Sequence, residues 1–186
     1  MKFFMTIPIA LFALSVSADC QYTLESDDLK VAWTAYKTPS KVGVGGQFTE
    51  LGIDKKKFTA SSVAALFKGM DFAISTKSVA TKDKQRDKKI HSFFFKDAST
   101  IKGEVLEASE GSMTILIEMN GVKKEVPLNA SLKGDAYKAE GVIDVMDFSM
   151  NENLKAITKA CEQLHMGKTW SDVDISLSAR IHSNCK

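Results

Sequence analysis

The sequence predicts an all-β protein, an eight-stranded antiparallel up-and-down barrel with two helical insertions. Three observations carry this. Eight runs of residues are strand-like, most alternating apolar and polar side chains with the two-residue period of a strand that has one dry face. Most are linked by short turns, among them Asn120-Gly121, the strongest hairpin signal in the chain. Eight such strands with no obvious break either close on themselves or stack as a sandwich, and closure is the neater way to protect edges.

Taken in order, the first 18 residues stand apart from the fold. Lys2 gives a positive start, Phe3 to Val16 is an apolar stretch broken only by Pro8, and Val16-Ser17-Ala18 supplies the small residues of a signal-peptidase site. The stretch is short for a membrane span, and Asp19 before Cys20 spoils a lipoprotein signal. Residues 1–18 are therefore read as a cleaved export signal, and 19–186 as a single domain. The strands then follow. Leu29, Val31, Trp33 and Ala35 alternate with polar neighbours. Val42 to Leu51, Asp71 to Ser78 and Thr100 to Glu107 read as strands. Met113 to Met119 and Val126 to Leu132 flank the hairpin turn. Lys133-Gly134-Asp135 turns into Tyr137 to Val145, and Val173 to His182 alternates strictly over ten residues.

Two stretches break the rhythm. Asp83 to Phe94 has a helical composition, with Ile90, Phe93 and Phe94 on one side. In Asn151 to His165 the residues Leu154, Ile157, Thr158, Cys161 and Leu164 fall at helical spacing, with Asn151 as cap and Gly167 as stop. A short turn is expected at Ser62 to Phe67. A membrane barrel is disfavoured because the polar faces carry Lys30, Glu118, Lys123, Glu125, Asp174 and Arg180. With the apolar face inward, those charges meet water.

With 44% hydrophobic residues, 26% charged and a net charge of +2, the chain is globular and is not a dedicated nucleic-acid binder. Catalytic signatures are missing: there is no Gly-x-Ser-x-Gly elbow, no His-Glu-x-x-His and no Cys-x-x-Cys. No enzyme activity, cofactor or metal is expected. Gly43-Val44-Gly45-Gly46 lacks the ending of a phosphate loop and reads as a bend where strands cross closely. His91, His165 and His182 lie far apart. The run Lys82 to Lys89 reads as a solvated helix face, with a weak contact to anionic membrane head groups as the sharper alternative. Asn129-Ala130-Ser131 matches a glycosylation sequon by chance, inside a strand. Cys20, Cys161 and Cys185 allow one disulfide and one leftover thiol, with three pairings. If the first and last strands are neighbours, Cys20 and Cys185 are the natural pair. Phe93-Phe94-Phe95 and the methionines Met70, Met113, Met119, Met146 and Met150 favour a lined cavity over a filled core.

Trp33-Thr34-Ala35-Tyr36-Lys37, the Gly-rich Val42 to Phe48, Arg86-Asp87 with the Phe94-Phe95 pair, Met119-Asn120-Gly121-Val122 and Asp147-Phe148 come in a telling order. Together they resemble the YceI-like family of exported lipocalin-like barrels, over about residues 20 to 183. The chain departs from that pattern at Ser149, in the long Asn151 to Gly167 segment and in its terminal cysteines. The resemblance implies a periplasmic protein holding a long-chain apolar or amphiphilic small molecule, such as a polyisoprenoid or fatty-acid derivative, as carrier or sensor. It implies a lining of Trp33, Phe72, Phe94, Ile115, Ile117, Met119, Leu128, Val142, Phe148, Ile175 and Leu177. Arg86 and Asp87 would tie the helix to the barrel mouth. The competing expectation is a filled barrel whose long helix docks a partner.

Overall fold

The computed structural model describes residues 20–185. The export signal read at 1–18 lies outside the described residues. The chain runs β1 (Cys20–Glu25), β2 (Lys30–Lys37), β3 (Val42–Phe48), β4 (Leu51–Ile53), β5 (Lys57–Ala60), α1 (Val63–Phe67), β6 (Asp71–Ser75), β7 (Val79–Ala80) and α2 (Lys84–Lys89). A π turn (Ile90–Phe94) follows, then β8 (Thr100–Ala108), β9 (Ser112–Met119), β10 (Val122–Lys133), β11 (Ala136–Asp144) and a 3-10 turn (Val145–Phe148). Helices α3 (Asn151–Ala160) and α4 (Glu162–His165) precede the long β12 (Thr169–Cys185).

The strands form one curled antiparallel sheet in the order β4-β6-β8-β9-β10-β11-β12-β2-β3-β7. This is the up-and-down order with the last strand beside the first long one. The sheet remains a half-barrel among the described residues, because β3 and β4 have no ladder between them. The expected strand Val42 to Leu51 breaks after Phe48, where Thr49 donates its N–H to the carbonyl of Ser78 instead, at 3.1 Å. The expected strand Asp71 to Ser78 likewise stops at Ser75, in a 3-10 turn. The first break, with β1, β5 and the short β7, raises the strand count from eight to twelve among the described residues.

Local chemistry explains the turns. Asn120 and Gly121 both take positive φ, 53° and 76°, as a two-residue hairpin with the sheet's twist requires. Facing residues Met113, Ile115, Ile117 and Met119 on β9 are all buried, as their alternation predicts. Outward positions carry charges such as Lys102, Lys123, Glu125 and Lys138, all exposed.

The two ends of the curled sheet are closed differently. At one end α1 packs on β1, β5 and β8. Ser62 caps it, accepting from the Ala65 N–H at 3.2 Å. Phe67 stacks on Tyr137 with ring centroids 4.7 Å apart, and Leu24 fills in beside them; all three are essentially without exposure. The Tyr137 hydroxyl donates to the Ser109 carbonyl at 2.9 Å. Beside this plug, Cys20 and Cys185 face each other in the β1–β12 ladder and form a disulfide. Cys161 is left as a buried free thiol.

At the other end lie α2, the π turn, α3 and α4. Asp83 caps α2 by accepting from the N–H groups of Gln85 and Arg86. The π turn widens the helix, so that Phe95 donates its N–H to Ile90 at 3.0 Å. That extra residue rotates Phe93 outward, to 40% exposure, and buries Phe95 in its place. The expected single helix Asn151 to His165 bends at Cys161. The Thr158 hydroxyl back-bonds to the Leu154 carbonyl at 2.7 Å, a contact that bends helices, and α4 starts anew at Glu162. Asn151 is the first helical residue and not the cap: Ser149 at φ 56° places Met150 there, with its side chain fully buried. Met166 and Gly167, both at positive φ, end α4.

Candidate functional site: an apolar cavity with a charged mouth

Between the α1 plug and the helical cover lies a cavity of about 440 Å³. That falls within the range of small-molecule sites, roughly 300–1,000 Å³. Its wall comes from the inward faces of β2, β6, β8, β9, β10 and β12, closed over by Ile90 and Phe94 of the π turn and by Leu154, Ile157 and Cys161.

Of the side chains expected to line it, Trp33, Phe72, Phe94, Ile115, Ile117, Met119, Leu128, Ile175 and Leu177 all reach the cavity. Val142 and Phe148 do not. Val142 is 58% exposed on the outer face of β11. The inward positions there are Tyr137, Ala139, Gly141 and Ile143, and Ile143 is the one that lines the cavity. The signal was present, since Val142 shares its parity with the outward Lys138 and Glu140. Phe148 is fully buried in the core, off the cavity, at the end of the 3-10 turn. Its carbonyl accepts from Asn120 Nδ2 at 3.1 Å, which fixes that turn to the β9–β10 hairpin.

Three cavity residues lie over glycines of the neighbouring strand. Trp33 opposes Gly46, Phe72 opposes Gly103, and Leu128 lies beside Gly141. A Cβ at any of the three glycines would collide with its neighbour. Absent side chains let the rings lie flat along the wall. The expected bend at Gly43 to Gly46 is thus a regular strand whose glycine seats an indole. The Trp33 Nε1 is buried with no hydrogen-bond partner among the described residues.

The mouth differs from the interior. Trp170 Nε1 donates to the Thr38 carbonyl at 2.8 Å, and Thr38 donates back to Lys168, holding the β2–β3 turn against the start of β12. Lys41 lies over the Tyr36 and Trp170 rings and pairs with Asp172 at 2.6 Å. The Tyr36 hydroxyl donates to Asp174, which pushes the phenol's pKa up. Lys37, Asp83, Arg86, Lys89 and His165 line the cavity here. The His165 Nδ1 is 2.9 Å from the Thr169 hydroxyl. Burial first, and then the charges of Lys37, Lys89 and Arg86, hold its imidazole below the usual histidine value of 6.5. Asp87 ties α2 to the sheet end by accepting from the N–H and hydroxyl of Thr81, at 2.8 and 2.6 Å. Arg86 does not share that task; it faces the cavity and pairs with Asp83 at 3.5 Å. The sequence reading missed Lys37, Lys89 and His165, although Lys37 continues the inward parity of Val31, Trp33 and Ala35.

The YceI-like domain model matches residues 22–181. The chain belongs to the YceI-like family. Solved structures agree on the fold. A polyisoprenoid binding domain from Saccharophagus degradans, implicated in plant cell wall breakdown, superposes with a TM-score of 0.60 at 14% identity. That match covers 88% of this chain and 98% of that one. Burkholderia cenocepacia BcnA gives 0.53 at 16% identity, covering 86% and 99%. The Campylobacter jejuni YceI protein gives 0.50 at 21%, covering 78% and 86%. No curated protein matches the chain. Among the described residues no helix is long and apolar enough to cross a membrane, and no cluster of metal-ligating side chains occurs.

Proposed function

We propose that this YceI-like protein is exported to the periplasm and holds a long-chain amphiphile, a polyisoprenoid or fatty-acid derivative, inside its half-barrel as a carrier or sensor. The observation that carries this reading is the 440 Å³ apolar cavity capped by helices. A filled barrel serving only as a docking scaffold would not leave such a space. Each methylene moved from water to that wall contributes about 0.8 kcal/mol, so a long chain supplies affinity by itself. The name of the Saccharophagus degradans relative supports a polyisoprenoid. The Cys20–Cys185 disulfide supports an oxidising compartment. Protein purified gently from the periplasm and extracted with organic solvent yields, on this reading, a stoichiometric apolar molecule by mass spectrometry. An empty extract together with no uptake of added lipid refutes it.

A further inference from the structure

The interior of the cavity is apolar, whereas its charged lining is confined to the mouth. Three half-buried cations stand there, Lys37 from the end of β2 and Arg86 and Lys89 from α2, against one lining carboxylate, Asp83. Arg86 is the one paired with Asp83. Lys89 Nζ donates to the Ala160 carbonyl at 3.3 Å and makes no ion pair of its own among the described residues, so Asp83 is shared between it and Arg86. Lys37 has no carboxylate partner among the described residues. Two positive charges therefore remain in a partly dehydrated ring around the entrance.

Resting on the amphiphile reading above, we infer that this ring recognises an anionic head group, a phosphate or carboxylate, while the chain fills the apolar interior. Charge-assisted hydrogen bonds from guanidinium and ammonium groups are the strong ones, and the guanidinium fork matches such oxyanions. The arrangement around His165 agrees. The same three cations face it together with the Thr169 hydroxyl, and their repulsion adds to burial in keeping it neutral. An anion seated among them relieves that repulsion.

Delipidated protein titrated with dodecyl phosphate, 1-dodecanol and inorganic phosphate separates the possibilities. The expected result is that dodecyl phosphate binds at least about tenfold more tightly than dodecanol, roughly 1.4 kcal/mol. That advantage shrinks in high salt. It also falls in Lys37→Gln and in Lys89→Gln, while Lys30→Gln, on the outer face of the same strand, leaves it intact. Inorganic phosphate alone binds far more weakly. Equal affinity for the alcohol and the phosphate, or an advantage unchanged in both variants, overturns the head-group inference and leaves the amphiphile reading standing. Failure of both long-chain probes to bind overturns the amphiphile reading itself. Equal binding of inorganic phosphate shows a simple anion site and overturns the inference as well.

Discussion

Reducing the Cys20–Cys185 bond tests how the half-barrel is held together. The bond joins residues 165 apart in sequence, close to the largest loop this chain can close. Loop-closure entropy for a loop of that length comes to about 5 kcal/mol at 25 °C, as an upper value. A protein of this size is stable by only about 5–15 kcal/mol. At that upper value the bond supplies a third or more of the total. At roughly 2–4 °C per kcal/mol, thermal unfolding should shift down by up to about 10–20 °C. Cys20→Ser with Cys185→Ser, followed by circular dichroism with and without reductant, measures it. The double variant should melt where the reduced wild type melts. Cys161→Ala, a change at the buried free thiol, should keep the full response to reductant. A reduced protein melting within about 2 °C of the oxidised one would refute the reasoning. It would mean that the β1–β12 and β1–β5 ladders hold the strand without the bond.

Three further outcomes follow from the site. Ile117→Trp, placed mid-strand on the cavity wall, should lower the extracted apolar molecule at least fivefold while the protein stays folded, checked by mass spectrometry and circular dichroism. Gly46→Ala drives a methyl into the Trp33 indole and should cost about 1–3 kcal/mol, the usual range for overpacking. Denaturant titration followed by tryptophan fluorescence reports it, and an unchanged midpoint would sink the account. The His165 imidazole has a folded pKa below its unfolded value, so the fold prefers it neutral. Its contribution is present above the ordinary 6.5 and is lost as pH falls through the folded value. His165→Gln should therefore flatten the decline in stability on acidification below that point, and NMR titration of the ring should find it displaced downward. Lys37→Gln should raise that value.

Much of the fold was legible because β-alternation is a local signal. On β9 the alternating Met113, Ile115, Ile117 and Met119 face inward, with Leu116 the apolar residue on the outer parity, and Asn120-Gly121 marks its turn without tertiary help. What escaped was set by contacts distant in sequence. The break between β3 and β4 depends on Thr49 meeting Ser78, 29 residues away, and no propensity in Val42 to Leu51 announces it. The exchange of Phe93 for Phe95 arises from the π turn, which shifts a helical face by one residue. Most of the site followed from strand parity. Val142 was misplaced where that parity was overridden by hydrophobicity alone. The charged mouth stayed hidden because it unites the end of β2, α2 and α4, elements that only the closed fold brings together.

The glycines under Trp33, Phe72 and Leu128 have a consequence for selectivity. None of the three glycines touches the cavity, yet each decides how far a large side chain intrudes into it. A single methyl at Gly46 pushes the Trp33 ring off the wall and narrows the lumen from behind, whereas one at Gly103 meets the Leu116 backbone carbonyl as well as the Phe72 ring. The bore, and with it the branching and thickness of the chain admitted, is thus adjustable at positions that never meet the ligand.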